Sequence, residues 1–132
     1  MKKLNCILLI DDDNDCNFLH TRAIKKLDCT NSVEVAKNGF LALDYLKSVS
    51  RMPELIFLDI NLPQMNAWEF LYEYRQLKNK HPNPVLIILT SSMNPDDKVK
   101  ASEYDEVKDF HIKYLNKDSL SIILRKHFPE NF

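Results

Sequence analysis

Three stretches of the chain are apolar at nearly every position: residues 4–10 (LNCILLI), 55–58 (LIFL) and 85–89 (VLIIL). The second lies between Pro53 and Pro63. Runs of this kind fit strands buried on both faces, as in parallel sheets. Residues 32–36 (SVEVA) alternate instead, as a more exposed strand does, and residues 108–112 predict a short fifth strand. Between them the period changes to that of helices. Cys16, Leu19, Ala23 and Leu27 share a face over residues 14–27, with Asp13 or Asn14 as N-cap. Asn38-Gly39 reads as a turn, followed by a helix over residues 40–49 with Ala42, Leu43, Leu46 and Val49 inward. Ala67, Phe70, Leu71 and Tyr74 mark a third helix starting near Asn66 and stopped by His81-Pro82-Asn83-Pro84. Asn94-Pro95-Asp96-Asp97 opens a polar fourth helix to about Tyr104, an N-cap followed by proline at the first helical position. Leu120, Ile123, Leu124 and Phe128 line a fifth over residues 118–127.

The order is strand–helix five times over, which predicts an α/β fold: a doubly wound, five-stranded parallel sheet with helices on both faces. A chain of 132 residues suits one domain, and nothing in it reads as a linker, a repeat or a second domain. Net charge of −1 implies no broad basic surface, so nucleic acid and anionic membranes are not expected partners. Three cysteines without a C-x-x-C suggest neither a disulfide framework nor a zinc site, and fit a reducing cytoplasm. Three aspartates cut the first apolar run too short for a signal peptide or a membrane span.

In a parallel sheet the C-terminal strand ends share one crevice, where open α/β sheets bind ligands. Here those ends carry Asp11 and Asp12, Asp59, Thr90 and Lys113. Clustered carboxylates repel unless a cation joins them, and Mg²⁺, a hard ion with oxygen ligands, answers that need. Lys113 adds a point charge suited to phosphate or carboxylate, and Thr90 a hydroxyl. The set suits phosphoryl transfer onto a carboxylate, giving an acyl phosphate.

The segments CILLIDDD, VAKNGFLALDYL, LIFLDINLPQMNAWEFL, VLIILTSS and DFHIK together resemble the receiver domain of bacterial two-component response regulators, the family of the chemotaxis response regulator. The resemblance runs from residue 6 to the last helix and implies strand order 2-1-3-4-5. It implies that Asp59 is the phospho-acceptor, that Asp11 and Asp12 hold Mg²⁺ with Asp12 most direct, and that Asn61 gives the metal a backbone carbonyl. By the same resemblance Thr90 and Phe110 are the switch pair, Lys113 pairs with the acceptor and then with its phosphate, and Asn61 and Ser92 tune the phosphoryl lifetime. The implied function is a single-domain phospho-switch or relay over residues 1–132 with no output domain, not an enzyme in its own right. A sensor histidine kinase or histidine phosphotransfer protein would be the donor. A downstream protein would read the face of helix 4, strand 5 and helix 5.

Ala67 replaces the family's usual glycine, and Tyr114 follows Lys113 where proline is usual. A cis bond before a residue other than proline costs about 2.5–4 kcal/mol, so we expect Lys113–Tyr114 to be trans, with Lys113 still aimed at the acidic cluster. Asp13 reads as a cap and Trp68 as packing at the start of helix 3. Tyr104 and Tyr114 read as exposed aromatics, and His20, His81, His111 and His127 as surface or partly packed. Two other functions compete. A Mg²⁺ phosphatase with its nucleophile on strand 1 usually shows D-x-D-x-T, which Asp11-Asp12-Asp13-Asn14-Asp15 lacks. A flavodoxin-like FMN binder needs a Ser/Thr/Gly-rich loop where the aspartates stand.

Overall fold

The computed structural model describes residues 2–77 and 81–132. Five parallel strands, β1 (Ile7–Ile10), β2 (Val33–Ala36), β3 (Leu55–Leu58), β4 (Val85–Thr90) and β5 (Val107–Ile112), form one sheet in the order β2-β1-β3-β4-β5. Helices α1 (Asn14–Leu27), α2 (Gly39–Ser48), α3 (Ala67–Tyr74), α4 (Pro95–Ala101) and α5 (Lys117–His127) connect and follow them. The apolar runs end up where their pattern predicts: every residue of β1 and β3 is buried, while β2 is an edge strand with one buried residue of four. β1 is shorter than its run, because Leu4 makes only an isolated bridge to Thr30.

The sheet divides the core in two. On one face Leu8, Ile56 and Ile88 meet α2, α3 and Ala101 of α4. On the other, Leu9, Phe57 and Leu89 meet Ile24 of α1 and Leu120, Ile123 and Leu124 of α5. The predicted faces of α2, α3 and α5 hold. That of α1 does not: Cys16, Asn17, His20 and Ile24 are buried, while Leu19 is exposed. Two polar side chains occupy the core-facing stripe at its N-terminal end, so an apolar count turns the helix the wrong way. α4 ends three residues earlier than expected, and α3 ends at Tyr74; residues 78–80 of the predicted extension lie outside the described residues.

Local capping explains the boundaries. Asp13 Oδ1 accepts the Asp15 and Cys16 N–H groups at 2.8 and 3.1 Å. Asn66 with Glu69, and Asn116 with Ser119, close capping boxes on α3 and α5. Asn38 caps α2, so Gly39 is its first residue and not a free turn. A Cβ on Gly39 would stand 2.6 Å from Met65 Sδ, so Met65 would have to shift to admit one.

Candidate functional site

Register brings the site together. Beyond the strand ends the parallel ladder continues: Asp11 N–H donates to Ala36, Asp59 N–H to Ile10 and Lys113 N–H to Thr90, at 3.1, 3.0 and 2.9 Å. Asp11, Asp59, Thr90 and Lys113 thus emerge at one edge of the sheet. Asp11 and Asp59 are 5% and 6% exposed and Thr90 is fully buried. Lys113 Nζ lies 2.6 Å from Asp11 Oδ2 and 3.1 Å from Asp59 Oδ2. The lysine is aimed at the acidic cluster as expected. Asp12 is exposed at the mouth, and ligand oxygens of Asp11, Asp12 and Asp59 fall within 4.8 Å of one another.

Three carboxylates and one ammonium leave a net negative pocket. Burial pushes the Asp11 carboxyl above its usual range, against the lowering effect of its hydrogen bond from Lys113. Burial works against the Lys113 ammonium, yet bonds and charge from Asp11 and Asp59 outweigh it and raise its pKa. The pocket therefore holds its lysine charged and retains an excess of oxygen donors. A hard divalent cation fits that donor set. Asp11, Asp12 and Asp59 would hold it, with the exposed Asn61, whose N–H sits 3.4 Å from Asp59 Oδ1, next to them.

The switch candidates divide. Thr90 Oγ1 accepts the Ser92 N–H at 3.2 Å. Ser92, the residue expected to tune the phosphoryl lifetime, donates its hydroxyl to Asp97 in the first turn of α4. Phe110 is half-buried against the α3–α4 side of the core, on the strand next to Thr90. Trp68 packs at the start of α3, stacked on Tyr104 with centroids 5.5 Å apart. Tyr104 is therefore half-buried and not the exposed aromatic it seemed; Arg75 also lies over its ring at 4.9 Å to the centroid. Tyr114 is 60% exposed.

The Lys113–Tyr114 peptide is cis, which corrects the expectation of trans. That expectation counted only the intrinsic preference of the bond. Contacts on both sides set the path of the chain here: Lys113 N–H is tied to Thr90 and Leu115 is buried among α5 residues.

Sequence reading missed three residues next to this site. Cys16 Sγ lies 3.5 Å from Lys113 Nζ. Asn17 Nδ2 donates to the Asp11 carbonyl at 2.9 Å. His20, taken as a surface or partly packed residue, is 1% exposed. The available signal was their spacing, since 16, 17 and 20 fall on one helix face with Ile24.

Comparison with known proteins gives a consistent picture. The chain is 30% identical over 118 residues to the probable methanogenesis regulatory protein FilR2 of Methanothrix harundinacea, covering 86% of this chain and 75% of that protein. It is 28% identical to transcription factor SKN7 of Chaetomium thermophilum, covering 92% of this chain but only 15% of that protein. A two component response regulator from Cytophaga hutchinsonii superposes with a TM-score of 0.81 at 30% identity, covering 95% of this chain and 97% of that one. The family model for the response regulator receiver domain matches residues 7–125, a span that contains the whole sheet and every strand-end residue of the pocket, and the chain belongs to that family.

Proposed function

We propose that Asp59 accepts a phosphoryl group from a phosphohistidine on a sensor histidine kinase or phosphotransfer protein, and that the chain works as a phospho-switch or relay without turnover of its own. The observation that carries this reading is the placement of Asp59: it ends a central strand, beside Asp11 and Asp12, with Lys113 Nζ 3.1 Å from its Oδ2. A carboxylate oxygen of Asp59 attacks phosphorus, the bond to the donor nitrogen breaks, and the electron pair leaves with the imidazole. Mg²⁺, held by Asp11, Asp12, Asp59 and the Asn61 carbonyl, supplies neutralising charge for the phosphoryl oxygens when bound. Lys113 is already charged and positioned to move from Asp59 to the new phosphate. Thr90 keeps its hydroxyl proton free to donate, because it accepts rather than donates its bond with Ser92.

Output would pass through α4. Turning Thr90 toward a phosphoryl group breaks its bond to Ser92, whose hydroxyl holds Asp97 of α4. The α4–β5–α5 face exposes Val99, Ile112 and Tyr114 for a downstream protein. Among the described residues no helix is long and apolar enough to cross a membrane.

Incubation with acetyl phosphate and Mg²⁺ tests the reading. Mass spectrometry should show one added phosphoryl group, absent from Asp59→Asn and from samples in EDTA. Labelling of Asp59→Asn at the wild-type rate would overturn it. Continuous release of phosphate without a labelled protein would favour the phosphatase alternative.

A further inference from the structure

A small cavity adjoins the acidic cluster, lined by Asp11 and Asp59, by Asn17 and His20 of α1, and by the apolar Leu9, Ile10, Phe57 and Leu89. It leaves about 10 Å³ for the centre of a water molecule, room for a single one. Asn17 is 6% exposed and His20 1%, and their spacing of three puts both on the same face of α1. The Asn17 amide is oriented by its Nδ2 bond to the Asp11 carbonyl, which turns Oδ1 away from that carbonyl. Asn17 Oδ1 and His20 Nε2 are both buried without a hydrogen-bond partner. Buried polar atoms of this kind are satisfied by protein or by ordered water. Two such atoms on one helix face, beside a cavity of one-water size, are the condition for an internal water site. The pair is chemically suited to it, because water donates to the amide oxygen and bonds imidazole nitrogen in either tautomer.

We propose that Asn17 and His20 form a site for one internal water molecule, and that this water positions the end of β1. It completes a chain from the Asp11 carbonyl through the Asn17 amide and the water to His20. The chain holds the strand end that presents Asp11 and Asp12. Asn17 and His20 act as positioning residues; neither contacts the incoming phosphoryl group. The water site rests on geometry alone, and only its effect on labelling rests on Asp59 being the acceptor.

A crystal structure at a resolution that orders internal water, with His20→Gln and His20→Leu for comparison, tests the site. Wild type should show one water within hydrogen-bond distance of Asn17 Oδ1 and His20 Nε2. His20→Gln, whose amide reaches a similar place, should keep it, and His20→Leu should lose it. A dry cavity in the wild type overturns the site, whatever the variants do. Initial labelling of Asp59 by acetyl phosphate at fixed Mg²⁺ tests the positioning: His20→Leu should be slowed several-fold and His20→Gln should stay close to wild type. Equal rates in all three overturn it. If wild type takes no label while the water is present, the phospho-acceptor reading fails and the water site stands.

Discussion

The electrostatics of the site turn on a few side chains, and their contributions can be separated. The Lys113 side chain is 5% exposed and faces two buried carboxylates. Replacing it with methionine leaves those charges uncompensated, as when one partner of a buried ion pair is removed, so stability should fall by about 3 kcal/mol in metal-free buffer. Urea unfolding with EDTA reads this, and added Mg²⁺ should restore part of the loss. Asp12 has the opposite sign. It is exposed and makes no pair with Lys113, so it mainly adds repulsion when no cation is present. Asp12→Asn should leave metal-free stability unchanged or raise it by up to about 1 kcal/mol, while Mg²⁺ no longer raises the melting temperature. A drop in the metal-free melting temperature would argue against a shared acidic pocket. His20 sets a pH dependence. Burial holds its pKa at about 4, below the ordinary 6.5. The neutral ring is favoured in the folded state, so its contribution is complete above pH 6.5 and is lost as pH falls toward 4. Up to about 3 kcal/mol is involved, and the difference between wild-type and His20→Gln stability curves over that window should show it.

Individual elements are fastened by polar devices that differ in kind. α5 is tied to β5 through Asp109, whose Oδ2 meets His127 Nε2 at 2.8 Å and Lys126 Nζ at 3.1 Å, with His111 Nε2 at 3.3 Å. Burial opposes the Asp109 charge, but the bonds from His127, the Phe110 N–H and Lys126 outweigh it and hold its pKa well below the usual range. With the folded value depressed, the stability that the Asp109 charge contributes is present above about pH 4 and is lost in stronger acid. Asp109→Asn at neutral pH should cost about 1.5 kcal/mol and speed hydrogen exchange in α5 before the rest of the chain. α4 is held differently. Its only buried residue is Ala101, and the aromatic stack supplements that small contact: Lys100 Nζ lies 5.2 Å from the centroid of Trp68, which stacks on Tyr104. Ser92 holds its first turn through Asp97.

On the scale of the molecule, these fastenings link the pocket to the output face. Thr90, Ser92, Asp97 and α4 are joined in sequence, and Trp68 senses α4 through Lys100 and Tyr104. Adding beryllofluoride with Mg²⁺ should therefore change Trp68 emission, the signal being readable because Trp68 is the one tryptophan of the chain. Ser92→Ala should weaken the change while leaving beryllofluoride binding in place. An unchanged response in Ser92→Ala would rule out this connection as the route.

Strand and helix identity was legible along the chain because apolar runs and helical spacing are local consequences of burial. β1 and β3 are apolar at every position and β4 at every position before Thr90, and α2, α3 and α5 show stripes that hold in three dimensions. Asp11, Asp59 and Thr90 were legible for a related reason: each directly ends or follows such a run, Lys113 follows the short fifth strand, and the parallel order carries all four to one edge. Tertiary structure decided the rest. The orientation of α1 depends on Asn17 and His20 facing the core, where a polar residue is stable only if something beyond its own helix accommodates it. Tyr104 was withdrawn from the surface by Trp68 and Arg75, which lie 36 and 29 residues away along the chain. Ser92 was turned to α4 by Asp97, and the Lys113–Tyr114 bond took the cis form within contacts from β4 and α5. Local preferences fix which element forms. Which way its polar side chains turn depends on partners distant in sequence, and those exist only once the sheet has assembled.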